Sequence, residues 1–182
     1  MTTEGTLPGQ LTGMQLAKAA YPTNPNNPLP ANEQVSSDWV DVSVLVNFLQ
    51  PGYNTQYKLN SDGTPSTTLE NQFVIKVNQS TKQIVISFKG SDALSNWTSD
   101  LTDGGASEYL KIVDQVQAAY DALSADSVFA GYTFSTTGHS LGGAMAQTFA
   151  LKNGLDVQVY NSLPIPSSLV ANGISARPIS MP

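Results

Sequence analysis

Apolar residues gather first in two short clusters near the middle of the chain. β-branched and aromatic side chains dominate residues 73–77 and again residues 84–88, a composition typical of strands. The polar residues 78–82 between the two clusters suit the turn of a hairpin. The pattern therefore predicts two paired strands that begin a sheet.

Longer periodic segments follow this hairpin. Apolar residues between Glu108 and Leu123 recur at the three-and-four spacing of an amphipathic helix, at Leu110, Val113, Val116, Tyr120 and Leu123. Residues 132–136 then predict a strand, residues 141–153 a helix closed by Gly154, and residues 157–160 another strand. Because a helix between two strands favours a parallel crossover, we predict an α/β fold.

The flanking segments are less regular. Leu11, Met14, Leu16 and Ala17 predict a short helix, and residues 39–49 predict a second helix that ends at Pro51. Residues 163–182 are rich in Pro, Ser, Asn and Gly, and they predict a poorly structured tail. A length of 182 residues suits one domain, so we treat 1–182 as a single unit.

Composition excludes several classes of function. Only 12% of the residues are charged, and the net charge of −6 disfavours binding to nucleic acid. The chain has no cysteine, so a disulfide or a thiolate metal site is excluded, and we expect no cofactor or metal. No apolar run reaches the ~20 residues of a membrane span. The first ten residues do not resemble a signal peptide, so we expect a protein that is cytoplasmic or secreted without an amino-terminal signal.

The segment Gly138-His139-Ser140-Leu141-Gly142 fits the Gly-x-Ser-x-Gly nucleophile elbow. In an elbow the serine occupies a tight turn between a strand and a helix, and the glycines avoid collisions with neighbouring backbone. The predicted strand before Gly138 and the predicted helix after Ser140 supply this context. We therefore predict that Ser140 is a nucleophile; the alternative is a packing turn without chemistry.

Two segments in the same order resemble the fungal-type, or class 3, lipase family. They are IVISFKGSDALSNWTSDL at residues 84–101 and TTGHSLGGAMAQ around Ser140. The resemblance implies an α/β-hydrolase-like fold, with a mostly parallel central sheet flanked by helices and incomplete at the carboxyl terminus. It also implies an oxyanion hole formed by Ser91 and the backbone N–H of Leu141. The family usually has Arg-Gly where this chain has Lys89-Gly90, and an ordinary turn at Ser91 remains the alternative.

Residues 92–100 correspond to the lid of the lipase family that the chain resembles. Leu94 and Trp97 lie on one face at helical spacing, which suits a short amphipathic flap over an acyl pocket. Core packing of Trp97 explains the pattern equally well.

The triad base and acid are not identified in this chain. The resembled family places an aspartate and a histidine after the serine, but here only Asp156 follows Ser140 among carboxylates, and no histidine follows it. Asp156 is expected at the opposite end of the sheet. His139, the only histidine, is expected to pack beneath the turn as it does in similar lipases. The chain could be a fragment of a longer polypeptide, the product of a truncated gene, or a module that has lost hydrolysis, and we favour the fragment.

The expected function is that of a carboxylic ester hydrolase, a lipase or esterase, which acts through a Ser140 acyl-enzyme on an ester or lipid substrate. With an incomplete triad, we expect feeble activity from this chain alone. The alternative is a noncatalytic module that binds a lipid or a partner in the same cleft.

Overall fold

The computed structural model describes residues 8–21, 28–42, 45, 73–90, 106–165 and 167–171. The helices in these ranges are α1 (Gln10–Ala19), α2 (Ala106–Ala125), α3 (Leu141–Asn153) and α4 (Ser167–Ala171). The strands are β1 (Trp39–Asp41), β2 (Phe73–Asn78), β3 (Gln83–Phe88), β4 (Thr133–His139) and β5 (Asp156–Tyr160). Short 3-10 turns span Ala31–Glu33 and Ser127–Phe129.

The described strands form one mixed sheet in the order β1-β2-β3-β4-β5. β2 runs antiparallel to both β1 and β3, whereas β4 runs parallel to both β3 and β5. Phe88, the last residue of β3, pairs with Gly138 near the end of β4. The carboxyl ends of the three parallel strands therefore meet at one edge, where α/β folds usually place their ligands.

Strand β3 lies at the centre of the core, and all six of its residues are buried. Ile84, Ile86 and Phe88 belong to a large apolar cluster that also contains residues of α2 and α3. Val85 belongs to a second cluster, with Leu16 of α1. Because side chains alternate across a strand, the sheet is covered by α2 and α3 on one face and by α1 on the other.

These elements confirm the α/β-hydrolase class and most of the predicted segments. The predicted hairpin corresponds to β2 and β3, and the predicted crossover corresponds to β4, α3 and β5. Gly154 ends α3 with a φ of 67°, the left-handed conformation that favours glycine. Among the described strands, parallel and antiparallel pairs occur in equal number.

Three local predictions were wrong. Trp39–Asp41 forms strand β1 and not the start of a helix, because its backbone pairs with Lys76–Asn78 of β2. Leu110 is exposed. The buried residues described in α2 are instead Ala106, Tyr109, Ile112, Val116, Ala119 and Leu123. The short helix α4 lies where the sequence predicts no helix, and it buries Leu169 against the core.

Candidate active site

Ser140 occupies a sharp corner between β4 and α3. Its φ is 56° and its ψ is −125°, a region that residues with a Cβ rarely adopt. β4 ends at His139, and α3 begins at Leu141. Holding a serine in this conformation costs roughly 1–3 kcal/mol, which the surrounding structure must offset.

The glycines on either side of Ser140 allow three backbone segments to approach one another closely. A Cβ at Gly138 would overlap the carbonyl oxygen of Gly142. A Cβ at Gly142 would overlap the carbonyl oxygen of Phe88 at the end of β3. Any larger residue at these positions would separate α3 from β3 and β4, and the corner at Ser140 depends on that packing.

The Ser140 side chain is half-buried, and its hydroxyl makes no hydrogen bond to another described residue. Its carbonyl oxygen accepts hydrogen bonds from the amides of Gly143, at 3.0 Å, and Leu163, at 3.2 Å. The Leu141 N–H is the first amide of α3, and the first amides of a helix have no acceptor within it. Such an amide can donate to a negatively charged oxygen beside Ser140.

The segment after β3 lies against this corner. A Cβ on Gly90 would lie 2.7 Å from the carbonyl oxygen of His139 and 3.5 Å from the amide nitrogen of Gly142. Lys89, which stands where the lipase family usually has arginine, is buried. Ser91, Leu94 and Trp97 lie outside the described residues, so the predicted oxyanion donor and the predicted lid stay predictions.

His139 is exposed, so the prediction that it packs beneath the turn was wrong. It is the last residue of β4, and its Nδ1 lies 3.5 Å from the hydroxyl of Tyr21. Nothing in the sequence indicates this contact, because Tyr21 lies 118 residues away. The Tyr21 hydroxyl also accepts a hydrogen bond from the Gly90 amide, at 3.1 Å.

Asp156 lies far from Ser140, as the sequence predicts. It is exposed at the start of β5 and pairs with Ser135 of β4. Ser135 is separated from Ser140 by about 16 Å of extended strand. Asp156 therefore lies toward the opposite edge of the sheet and does not form a triad with Ser140.

The described ranges contain no group of three or more His, Asp or Glu side chains that could hold a metal ion. None of their helices combines the length and the apolar character that crossing a bilayer requires.

A sheet of this topology, with a serine at a strand-to-helix corner on its carboxyl edge, is the arrangement of the α/β-hydrolases. Within that class the chain resembles the lipases. It belongs to the phospholipase-like family of Tle-like phospholipase domains, whose sequence profile matches residues 14–177. No curated protein matches the chain.

Solved structures that resemble the chain include fungal lipases. Lip2 lipase from Yarrowia lipolytica is 25% identical, with a TM-score of 0.39, over 48% of this chain and 39% of that one. The Rhizomucor miehei lipase in its propeptide complex is 26% identical, with a TM-score of 0.40, over 60% and 42% of the two chains. Mono- and diacylglycerol lipase from Aspergillus oryzae is 20% identical, with a TM-score of 0.44, over 79% and 57%. The chain thus spans less than half of the length of the first two.

Proposed function

We propose that this protein hydrolyses carboxylic esters of lipids with Ser140 as the nucleophile. The Ser140 Oγ forms a bond to the carbonyl carbon of the ester, the bond from that carbon to the alcohol oxygen breaks, and the serine proton leaves with the alcohol. Water then attacks the acyl carbon, which releases the carboxylic acid and restores the hydroxyl. The description of the family as phospholipase-like favours the acyl esters of phospholipids as substrates.

The conformation of Ser140 is the observation that carries this proposal. A φ of 56° on a serine costs free energy, and a module that only binds a lipid has no use for it. The Ser140 side chain is half-buried, and its hydroxyl has no hydrogen-bond partner among the described residues. Both features suit a nucleophile better than a packing turn.

Stabilisation of the tetrahedral intermediate is assigned to two donors. The first amide of α3, on Leu141, lies next to the nucleophile in the chain and has no acceptor in its own helix. Ser91, which follows Gly90, is proposed as the second donor from the lipase resemblance. Each donor that is aligned with the developing negative charge is worth roughly 3 kcal/mol of barrier.

No base is assigned among the 182 residues. His139 is the only histidine, and it makes no hydrogen bond to the hydroxyl of Ser140. Asp156 lies at the wrong end of β5. Without a base, acylation retains the contribution of the oxyanion donors alone, which leaves a rate ~10³-fold above that in water. We therefore expect slow turnover from this chain.

Ester turnover by matched variants tests the proposal. The chain is assayed with p-nitrophenyl butyrate and with a dioleoyl phosphatidylcholine vesicle, beside Ser140→Ala and Ser124→Ala. Ser124 lies on the exposed end of α2, with its hydroxyl bonded to the carbonyl oxygen of Asp121, so its variant controls for the loss of a serine. Slow hydrolysis that only Ser140→Ala abolishes supports the proposal. Equal rates for Ser140→Ala and the parent chain contradict it and favour the noncatalytic lipid-binding module.

A further inference from the structure

Tyr21 connects the end of α1 to the carboxyl edge of the sheet. Its hydroxyl accepts the hydrogen bond from the Gly90 amide, at 3.1 Å, although 69 residues separate the two. The same oxygen lies 3.5 Å from Nδ1 of His139. One phenol therefore contacts both Gly90, which follows β3, and His139, the last residue of β4, which precedes Ser140.

Gly90 lies between Tyr21 and that corner. A Cβ at this position would lie 2.6 Å from the Tyr21 hydroxyl and 2.7 Å from the carbonyl oxygen of His139. Both distances are below those of ordinary van der Waals contact, so the backbone of Gly90 is packed on two sides. The hydrogen bond to Tyr21 fixes the direction of its N–H as well as its position.

Tyr21 is itself fixed by helix α1. Leu16 and Ala17 of this helix are buried against the sheet. The Tyr21 amide donates to the carbonyl oxygen of Lys18, at 3.0 Å, which continues the last turn of the helix. Lys18 in turn forms an ion pair with Glu33, at 2.7 Å. The packing of α1 therefore fixes the position of the Tyr21 ring, and this limits how far the ring can follow movements of Gly90.

We propose that Tyr21 is a positioning residue for ester hydrolysis: its hydroxyl fixes the end of β3 relative to the Ser140 corner. This inference rests on the proposed function. The Leu141 amide belongs to α3, whereas Gly90 follows the end of β3 and packs against the His139 carbonyl oxygen at the corner. The Leu141 amide can stabilise an intermediate on Ser140 only while these two segments keep their spacing. A displacement of about 1 Å in such a site costs up to roughly 100-fold in rate.

The substitution Tyr21→Phe removes the hydroxyl and keeps the ring. The matched control is Tyr160→Phe, because the Tyr160 hydroxyl also ties α1 to the sheet, through a 2.7 Å hydrogen bond to the carbonyl oxygen of Gln10. The Tyr160 hydroxyl makes no hydrogen bond to Gly90 or His139, and the backbone hydrogen bond from the Ser140 amide to the Tyr160 carbonyl oxygen does not depend on this hydroxyl. Each variant loses phenolic hydrogen bonding that ties α1 or the residues just after it to the sheet, so a general loosening of this helix affects both variants.

Labelling kinetics with an alkyl fluorophosphonate separate positioning from binding. We expect Tyr21→Phe to lower the limiting labelling rate constant about 10-fold, with the half-saturating probe concentration unchanged within about twofold. Tyr160→Phe is expected to label at the parent rate. Equal rates for the two variants, or a change confined to the half-saturating concentration, would overturn the inference.

Failure of the proposed function is distinguishable from failure of this inference. If Ser140→Ala labels as fast as the parent chain, Ser140 is not the nucleophile and the proposed function fails. Hydrogen exchange of the Gly90 amide, followed by NMR, tests the contact without any activity and without a variant. Slow exchange of this amide is expected, and exchange at the rate of an unstructured peptide would overturn the role of Tyr21.

Discussion

The carbonyl oxygen of Ser140 accepts a hydrogen bond from the amide of Leu163, at 3.2 Å. This bond ties the segment that follows β5 to the corner of the candidate nucleophile. Gln147 of α3 strengthens the connection, since its Nε2 donates to the Ser162 Oγ, at 2.6 Å, and to the Leu163 carbonyl oxygen, at 3.4 Å. The conformation of Ser140 is therefore supported from β5 as well as from β3.

Replacing Gln147 by leucine removes these bonds and keeps a good helix former in α3. We expect Gln147→Leu to lower the free energy of unfolding by about 1–2 kcal/mol, measured by urea denaturation. Gln15→Leu is the control, because Gln15 donates a single exposed hydrogen bond, to the Asn32 carbonyl oxygen. A loss for Gln147→Leu no larger than that for Gln15→Leu would contradict this role of Gln147.

Gly142 is expected to tolerate no side chain. Gly142→Ala places a methyl group on the carbonyl oxygen of Phe88, and backbone cannot move aside as the end of a side chain can. We expect a loss of about 3 kcal/mol or more, which is the range of severe overpacking. Gly154→Ala is the control, because its φ of 67° is unfavourable but its Cβ would meet no atom within 4 Å.

For Gly154→Ala we expect a loss of only about 1 kcal/mol, from the left-handed conformation alone. Comparison of the two urea midpoints separates steric overlap from conformational cost. Similar losses for the two variants would show that β3 and α3 do not approach as closely as described.

Tyr109 carries a hydroxyl group in the interior of the fold. The side chain is 3% exposed, and its oxygen has no hydrogen bond to any described residue. Because an unsatisfied buried polar group costs about 1–3 kcal/mol, removal of the oxygen is expected to stabilise the fold. Tyr109→Phe should raise the melting temperature, whereas Tyr160→Phe, which loses the bond to Gln10, should lower it. A lower melting temperature for Tyr109→Phe would indicate a partner for its hydroxyl.

Alkaline pH is expected to destabilise the protein through its buried tyrosines. Burial raises the pKa of Tyr109 far above its ordinary value of 10.0. Burial also raises the pKa of Tyr120, with a smaller contribution from the Asp121 carboxylate, and burial raises that of Tyr160. In the unfolded chain each phenol ionises near its ordinary value, so the folded state binds more protons above that pH.

The stabilising effect of these raised pKa values is therefore complete below pH ~10 and is lost as the pH rises above it. Denaturation curves between pH 8 and pH 11 should show a fall in the free energy of unfolding, and Tyr109→Phe should reduce its slope. A slope that this substitution does not change would contradict the burial of the Tyr109 phenol.

Short-range sequence signals predicted the corner at Ser140 and the core around it. Gly138 and Gly142 are required by steric overlap between adjacent segments, and the two glycines already lie beside the serine in the sequence. Strands β2 and β3 were also predicted, because each contains few polar residues. The glycines beside Ser140 and the apolar strands are both visible in short stretches of sequence, so they can be predicted without knowledge of tertiary contacts.

Features that depend on tertiary packing were not predicted. The three residues of β1 carry too short a pattern to indicate a strand, and they become one only by pairing with β2. The buried face of α2 was predicted to include Leu110 in place of Tyr109, because both residues are apolar and both fit the spacing of a helix. The contact between Tyr21 and Gly90 joins segments 69 residues apart, and no local pattern indicates it.

The central claim, that Ser140 is a nucleophile, is tested most directly by locating a covalent adduct. The chain is incubated with an alkyl fluorophosphonate and digested with trypsin, and the peptide 112–152, which contains Ser140, is sequenced by tandem mass spectrometry. The account predicts a phosphonyl group on the Ser140 Oγ and on no other serine of this peptide. An adduct on a different serine, or an unmodified Ser140 after prolonged incubation, would contradict it.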